Sequence, residues 1–394
     1  MDGDGCNFGV IGIRMSVRIA TFNVENLMAR FDFSGWRNNM RRDRSMGARD
    51  IKSEQDYKLI EQARVIAYED DARQMTALAI ADCHADIVCL QEVEDLKTLE
   101  AFEQNYLLPM TGLTYPQKVW IEGNDGRGID VALMARNKAA NGDTIRIDKV
   151  KSHAKRTFGE LGVHNARLEE MGYEANERVF RRDCLEVNLR IGNRRSTVFV
   201  CHFKSMGSSR DGLSGRDYTM PVRIAEAQGV RNIIEKKFGS ERAPRMRWLV
   251  CGDLNDYTQR LTISGNKRTG YGFDMLEEST SGVDPLMQDG FSVDLVKHRE
   301  GENRWTLYYA AGESQSSRDP ESRPVRHLVQ LDYILASPAL AENNRKALPH
   351  IVRQGQPMRT VFPQGQDVDR YPRTGWDRPK ASDHCPVAVT LKMV

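Results

Sequence analysis

Ala85-Asp86-Ile87-Val88-Cys89-Leu90 reads as a short buried strand, and Gln91-Glu92-Val93 sets a carboxylate at its C-terminal end. An apolar strand does not need an acid there. The pattern recurs along the chain. Arg18 to Asn23 carries Ile19 and Phe22 among small residues and ends on an amide. Thr197 to His202 ends on a histidine, and Arg247 to Cys251 runs into Gly252-Asp253-Leu254-Asn255-Asp256. Asp383-His384 stands just before a last strand, Val387 to Leu391, and Asp332 lies inside the apolar segment Gln330 to Leu335.

Outward from these strands, Asp56 to Asp82 shows apolar residues at helical spacing (Leu59, Ala63, Ile66, then Met75, Leu78, Ala79), which predicts one long helix or two shorter ones. Leu96 to Tyr106 is a second helix. Lys118 to Ile121 and Ile129 to Ala135 are strands flanking a loop of small residues, Glu122 to Gly128. Leu185 to Leu189 and Thr197 to His202 form a hairpin with Gly192-Asn193 near its turn. Lys204 to Met220 reads as a loop, followed by a helix from Pro221 to Phe238 with its proline near the first turn. Trp305 to Tyr309 and Gln330 to Leu335 are strands, and the irregular stretch Gln354 to Pro379 is too long to be an idle connection.

Strands and helices interleave early, whereas the later strands come in hairpins. A single parallel sheet would need a helix at nearly every crossover. The pattern therefore predicts an α/β protein with two mixed sheets packed face to face and helices outside, the polar strand tips gathered at one edge. No repeat or linker interrupts residues 15–394, which read as one domain. Residues 1–14 match no element and read as an extension, with Met15 an alternative start.

Composition sets the outer limits. With 40% apolar and 28% charged residues over 394 positions, disorder, collagen and coiled coil are excluded as descriptions of the whole. The 57 basic and 55 acidic residues leave a net charge of +2, too balanced to indicate a nucleic-acid partner by itself. Seven scattered cysteines without a CxxC pair suggest buried thiols, not a disulfide framework or a thiolate zinc site. The chain has no 18-residue apolar run and no basic leader, so the expectation is a cytoplasmic protein without a membrane partner, a monomer by default.

Taken singly, the strand-end residues have ordinary readings: Asn23 as a turn residue, Glu92 as a helix cap, His384 as a structural hydrogen-bonder. Together they point to chemistry. Hard divalent cations take carboxylate and amide oxygens, which Glu92, Asp253, Asn23 and Asp383 supply. His202 and His384 beside such a site can donate to phosphate oxygens or exchange protons near neutral pH. Asp253-x-Asn255 would set both side chains on one side of an extended backbone, one to orient a water and one to touch phosphate. Asp332 within an apolar strand needs a partner, and a histidine would serve. The implied reaction is metal-assisted attack of water on a phosphoester.

Six blocks also resemble the endonuclease/exonuclease/phosphatase superfamily, in the family order between Ala20 and Val387. They are Thr21-Phe22-Asn23-Val24-Glu25-Asn26-Leu27, Val88-Cys89-Leu90-Gln91-Glu92-Val93, Cys201-His202-Phe203-Lys204-Ser205, Gly252-Asp253-Leu254-Asn255-Asp256, Leu331-Asp332-Tyr333-Ile334-Leu335 and Ser382-Asp383-His384-Cys385-Pro386. The resemblance implies a four-layer αββα sandwich and hydrolysis dependent on Mg²⁺, with Mn²⁺ as a substitute and one or two ions in use. It implies Asn23 and Glu92 as the metal-side pair and Asp383 as an additional metal or water ligand. Asp253 would align or deprotonate the water, and Asn255 would contact the scissile phosphate. His384, held by Asp332, would stabilise the pentavalent phosphorus or act as base, and His202 would bind phosphate or serve the leaving group. Arg127, entering a strand that passes near the family's site, and Lys204 are candidate substrate-binding residues. A solvated loop is the alternative for Arg127, and Asp130 is either a site carboxylate or its partner.

The substrate is less legible. Arg37, Arg41, Arg42 and Arg44 follow the first site strand, and the stretch from Gln356 to Lys380 holds five basic and three acidic residues together with Tyr371 and Trp376. Basic residues interleaved with rings suit a polynucleotide backbone, DNA or RNA. Solvated loop surface is the plainer reading of both. Val250-Cys251-Gly252-Asp253 departs from the Trp-x-Gly-Asp pattern of the phosphoinositide phosphatases, and the His202-Phe203-Lys204-Ser205 block looks more like bacterial nuclease-like members. A nuclease is expected. The alternatives are a small-molecule or lipid phosphodiesterase or phosphomonoesterase and, behind these, a non-catalytic binding protein.

Overall fold

The computed structural model describes residues 15–28, 53–311 and 325–393. Two six-stranded mixed sheets form its centre. The first runs in the order His350–Ile351, Val387–Lys392, Ser16–Leu27, Ile87–Val93, Asp130–Ala135, Gln117–Trp120. The second runs Val293–Asp294, Asp332–Ala336, Trp248–Asp253, Arg194–His202, Cys184–Ile191, Ile145–Lys151. Each sheet holds one parallel pair at its centre, Ser16–Leu27 with Ile87–Val93 and Arg194–His202 with Trp248–Asp253. A parallel pair needs a long crossover, and each has a long helix in it: Glu54–Asp82 for the first, Gly215–Phe238 for the second.

Alternation along the strands sorts the layers. Val17, Ile19, Ile87 and Cys89 of the first sheet meet Val198, Val200, Leu249, Cys251 and Ile334 of the second in one core between the sheets. Ala20, Phe22, Val88 and Leu90 point the other way, onto Met75, Ala79 and Ile80 of the first helix. Phe199, Cys201, Val250 and Leu335 pack on Val222, Val230, Ile233 and Ile234 of the second. Each Val, Leu, Ile, Phe or Met side chain buried in this way contributes about 1.5–3 kcal/mol. The expected helix–sheet–sheet–helix order is therefore observed. The six described cysteines are buried and free, consistent with thiols in a packed core.

Several expected elements differ. The second long helix begins at Gly215, not Pro221, because the Ser214 side chain caps it by accepting from the Asp217 N–H at 3.1 Å. Pro221 is thus a residue of the helix body. The strand expected from Gln330 to Leu335 is found at Asp332–Ala336, and a separate, unexpected strand, Val325–Val329, precedes it in another sheet. Val325–Val329 pairs with Leu307–Ala311, and Asp332–Ala336 pairs with Trp248–Asp253. The break is held by Thr306, whose hydroxyl oxygen accepts from the backbone N–H of Leu331 at 3.0 Å and of Asp332 at 3.2 Å. Two further strands, Gln259–Asn266 and Gly270–Glu277, pair as a hairpin and complete an accessory four-stranded sheet. Its alternation is one-sided and dilute: Leu261, Ile263 and Leu328 reach the central core, while Arg260, Thr262, Ser264 and His327 beside them are polar. Ile145–Lys151, with four charged residues among its seven, adds an unexpected edge to the second sheet.

Candidate active site

The four central parallel strands point the same edge toward one place, and each delivers a polar residue near its C-terminal end: Asn23, Glu92, His202 and Asp253. All but Glu92 continue the alternation that faces the core between the sheets, so the site is the polar end of that apolar stripe. Register then aligns a row. His202 lies opposite Asp253, and Asp253 opposite Asp332 at the start of its antiparallel neighbour. Gly252 permits this closeness, since a Cβ there would stand 1.8 Å from the Cys201 carbonyl oxygen. His384 enters from the segment before the last strand, and its backbone bridges Leu307 of the accessory sheet.

Asp253 is the hub. Its Oδ2 accepts from Asn23 Nδ2 and Asn255 Nδ2, each at 3.1 Å, and lies 3.5 Å from His202 Nε2 and 3.6 Å from His384 Nε2. His384 Nδ1 is 2.8 Å from Asp332 Oδ2, the carboxylate–histidine pair expected from the sequence. Glu92 sits 3.5 Å from Asn23 Nδ2 and 4.0 Å from His202 Nε2. The chain bends to achieve this: Glu25, Asn26, Glu92 and Asn255 have φ of 49°, 62°, 68° and 52°. Four non-glycine residues in the left-handed region, gathered in one cleft, represent conformational strain of about 1 kcal/mol or more each, held in place by their surroundings. Asn255 consequently reaches Asp253 through a turn, not along an extended strand.

The charges are strongly perturbed. Burial pushes the Asp253 carboxyl up to about 7, with Asp332 adding to the rise and His384 and Asn23 opposing it. Burial alone would neutralise His384, but the Asp332 and Asp253 carboxylates outweigh it and hold the imidazolium well above the usual histidine range. His202 is the opposite case: burial, with the positive charges of Arg182, His384 and Arg127, holds it neutral. Two adjacent histidines thus carry different protonation states at neutral pH. Asp383 is kept low, against its burial, by His384 and Lys380.

These groups line an open polar cleft of about 410 Å³ that also admits Glu25, Asn26, Arg127, Arg182, Ser205, Leu307, Leu331 and Asp383. Arg127 is in the cleft and pairs with Asp125 at 3.2 Å; Asp130 binds the Gly123 N–H instead, at 2.9 Å. The Lys204 ammonium turns to the Ser205 carbonyl oxygen at 3.1 Å and does not line the cleft. Arg37, Arg41, Arg42 and Arg44 lie outside the described residues, as does the 1–14 extension. In the loop before Asp383 the five basic side chains are engaged within the protein: Arg378 and Lys380 with Glu25, Arg373 with Asp71, Arg359 with Asp377, and Arg370 with carbonyl oxygens of Gln356 and Thr360.

Glu25 and Arg182 were not singled out from the sequence. Glu25 Oε2 accepts from the Asp383 N–H at 3.0 Å and so ties the last site segment to the first strand. Its signal lay in the Asn23-to-Leu27 block, two residues beyond Asn23. Arg182, almost fully buried, holds Asp125 at 2.8 Å and the Phe203 carbonyl oxygen at 3.1 Å, with no motif around it to mark it.

Among the described residues, no three His, Cys, Asp or Glu side chains stand in a ready-made metal-binding arrangement. The donor chemistry nevertheless suits a hard cation. Glu92 and Asp253 both turn oxygens to the positive pole of the Asn23 amide, and burial, which raises the Asp253 pKa, penalises its charged form, a penalty that a nearby cation would offset.

A family model described as the Endonuclease/Exonuclease/phosphatase family matches residues 20–384. Among solved structures, a family protein from Bacteroides thetaiotaomicron has a TM-score of 0.50 at 14% identity, covering 96% of this chain and 98% of that one. A mannosyl-6-phosphatase from the same organism gives 0.48 at 13%, covering 95% and 99%. D. rerio TDP2 complexed with a single-strand DNA product gives 0.45 at 13%, covering 95% and 98%. No match is found among curated proteins.

Proposed function

Because the chain belongs to the Endonuclease/Exonuclease/phosphatase family, we propose that it is a divalent-cation-dependent phosphodiesterase that hydrolyses a polynucleotide backbone by in-line attack of water. The observation that carries this reading is the convergence of Asn23, Asn255, His202 and His384 on one buried oxygen of Asp253. A carboxyl titrating at about 7 is suited to orient a water and take its proton near neutral pH. The His384 imidazolium, fixed by Asp332, can neutralise charge building on the phosphoryl oxygens. Neutral His202 can donate a hydrogen bond to phosphate without adding charge, and Asn255 can hold the scissile group. Arg127 and Arg182 bring positive charge to the lining of the cleft. Glu92 and Asn23, with Asp383 alongside, are the residues that would hold a Mg²⁺ or Mn²⁺. When bound, such an ion supplies Lewis-acid polarisation of the phosphoryl oxygen and a more acidic water.

One observation favours a smaller substrate. The internal pairing of the basic side chains from Arg359 to Lys380 leaves less free positive surface than a long polyanion would use. Hydrolysis of plasmid, single-stranded DNA, RNA and bis-p-nitrophenyl phosphate, in EDTA and then in Mg²⁺ or Mn²⁺, separates the two. Metal-dependent nicking or degradation of nucleic acid, lost in Asp253→Asn and His384→Ala, is the expected result. Turnover of the small diester alone would transfer the reading to small phosphoesters. No turnover of any of them would sink the phosphodiesterase reading.

A further inference from the structure

The accessory sheet carries the cleft outward. Leu307 lines the cleft, and Tyr309 lies two residues along the same strand, on the same face and about 7 Å further out. In the register of the sheet, Val329 stands opposite Leu307 and His327 opposite Tyr309. The Tyr309 and His327 rings stack with centroids 4.7 Å apart and planes 24° from parallel, and Tyr257 approaches the same imidazole at 6.1 Å. Leu307, Val329, Tyr257 and Leu331 pack together, so the apolar strip is continuous from the catalytic floor to the stacked pair.

The pair is unusual for a structural contact. Neighbouring Tyr308 and Leu328 turn into the core at 6% and 1% exposure, whereas Tyr309 is 45% exposed. His327 beneath it is buried, and its Nδ1 has no hydrogen-bond partner. Leaving a buried polar atom unsatisfied costs about 1–3 kcal/mol. Burial pushes this imidazole down to about 4, so at neutral pH it is an uncharged ring backing another ring. A ring fixed from behind with part of its surface open to solvent is a stacking surface.

We propose that Tyr309, backed by His327, is a subsite that stacks the nucleobase next to the scissile phosphate. The inference rests on the polynucleotide reading above and extends it by naming which part of the substrate is held outside the catalytic cleft. Every base has a π-face, so such a subsite discriminates bases from bare sugar phosphates while remaining tolerant of sequence.

The test compares equilibrium binding of 5′-AMP and ribose 5-phosphate by calorimetry with Mg²⁺ present, in an Asp253→Asn background that blocks turnover. The expected result is about 10-fold tighter binding of 5′-AMP, a ratio that falls to near one with Tyr309→Ala and survives Tyr309→Phe. A ratio near one in the parent, an unchanged ratio in Tyr309→Ala, or no binding of either ligand overturns the subsite. Hydrolysis of bis-p-nitrophenyl phosphate by the unmutated protein reports separately on the phosphodiesterase reading. That activity with a ratio of one would leave the enzyme standing and remove only the platform.

Discussion

The two central sheets are built alike and contribute unlike halves of the site. Each has a parallel pair crossed by one long helix, and each brings its polar residues to the same edge. The second sheet presents His202, Asp253 and Asp332 in a straight register row, with side chains almost fully shut off from solvent. The first presents Glu25, Asn26 and Glu92 on bent backbone, with Glu92 at 13% exposure facing the cleft. Burial makes one half a place where proton affinities shift. Bending makes the other a place where oxygens can gather around a cation. We expect variants in the second sheet to lower kcat and variants in the first to lower cation affinity.

Asp253→Asn is the most severe test, with kcat expected to fall by about 10³–10⁴ at saturating Mg²⁺ while the protein stays folded. His384→Ala follows, with a loss of about 10²–10³ in the same assay. Asp332→Asn removes the charge that does most to raise His384, so it should cost about 10²-fold and change the pH profile. The sign is fixed: the imidazolium would lose its proton at lower pH, and the alkaline limb of kcat should move toward acid. A limb that stays in place would break the assignment. Glu92→Gln should raise the Mg²⁺ concentration for half-activation by about 10–100-fold, with most of kcat recovered in excess metal. A kcat loss as deep as that of Asp253→Asn would erase the division between the sheets. Arg378→Ala is the small effect: its ion pair with Glu25 is half exposed, and exposed pairs contribute about 0–1 kcal/mol. The variant should stay within a few-fold of the parent in kcat/KM and within a few degrees in Tm.

How much of this could be read from the sequence follows the same division. The row in the second sheet was legible because Asp253, His202 and Asp332 interrupt or end apolar strands, where a polar residue stands out. That Asp332 needed a donor was legible too; the family resemblance pointed to His384, and His384 is that donor. The strained half was not. Glu25 and Asn26 sit in a block already noticed, yet only the left-handed backbone explains why they face the cleft. Arg182 has no sequence signature because its role is defined by Asp125 and Phe203, which are distant along the chain. Of the accessory sheet only the strand around Trp305 to Tyr309 was legible; the strands Gln259–Asn266, Gly270–Glu277 and Val325–Val329 carry too weak a hydrophobic alternation to mark them. The split of the segment from Val325 to Ala336 depends on one threonine hydroxyl, which no local pattern reports.

The Ser382 hydroxyl donates to the Asn23 carbonyl oxygen across 359 positions of chain, and the last strand pairs with the first. Contacts of such separation are the slowest to form, because the closure entropy of a long loop comes before any reward from the contact. We therefore expect the cleft to be completed late in folding. A nascent chain would remain inert until the segment carrying His384 had left the ribosome and found its place between the sheets. During refolding, activity should return later than far-ultraviolet circular dichroism. Simultaneous recovery of the two would show that the closing segment docks early.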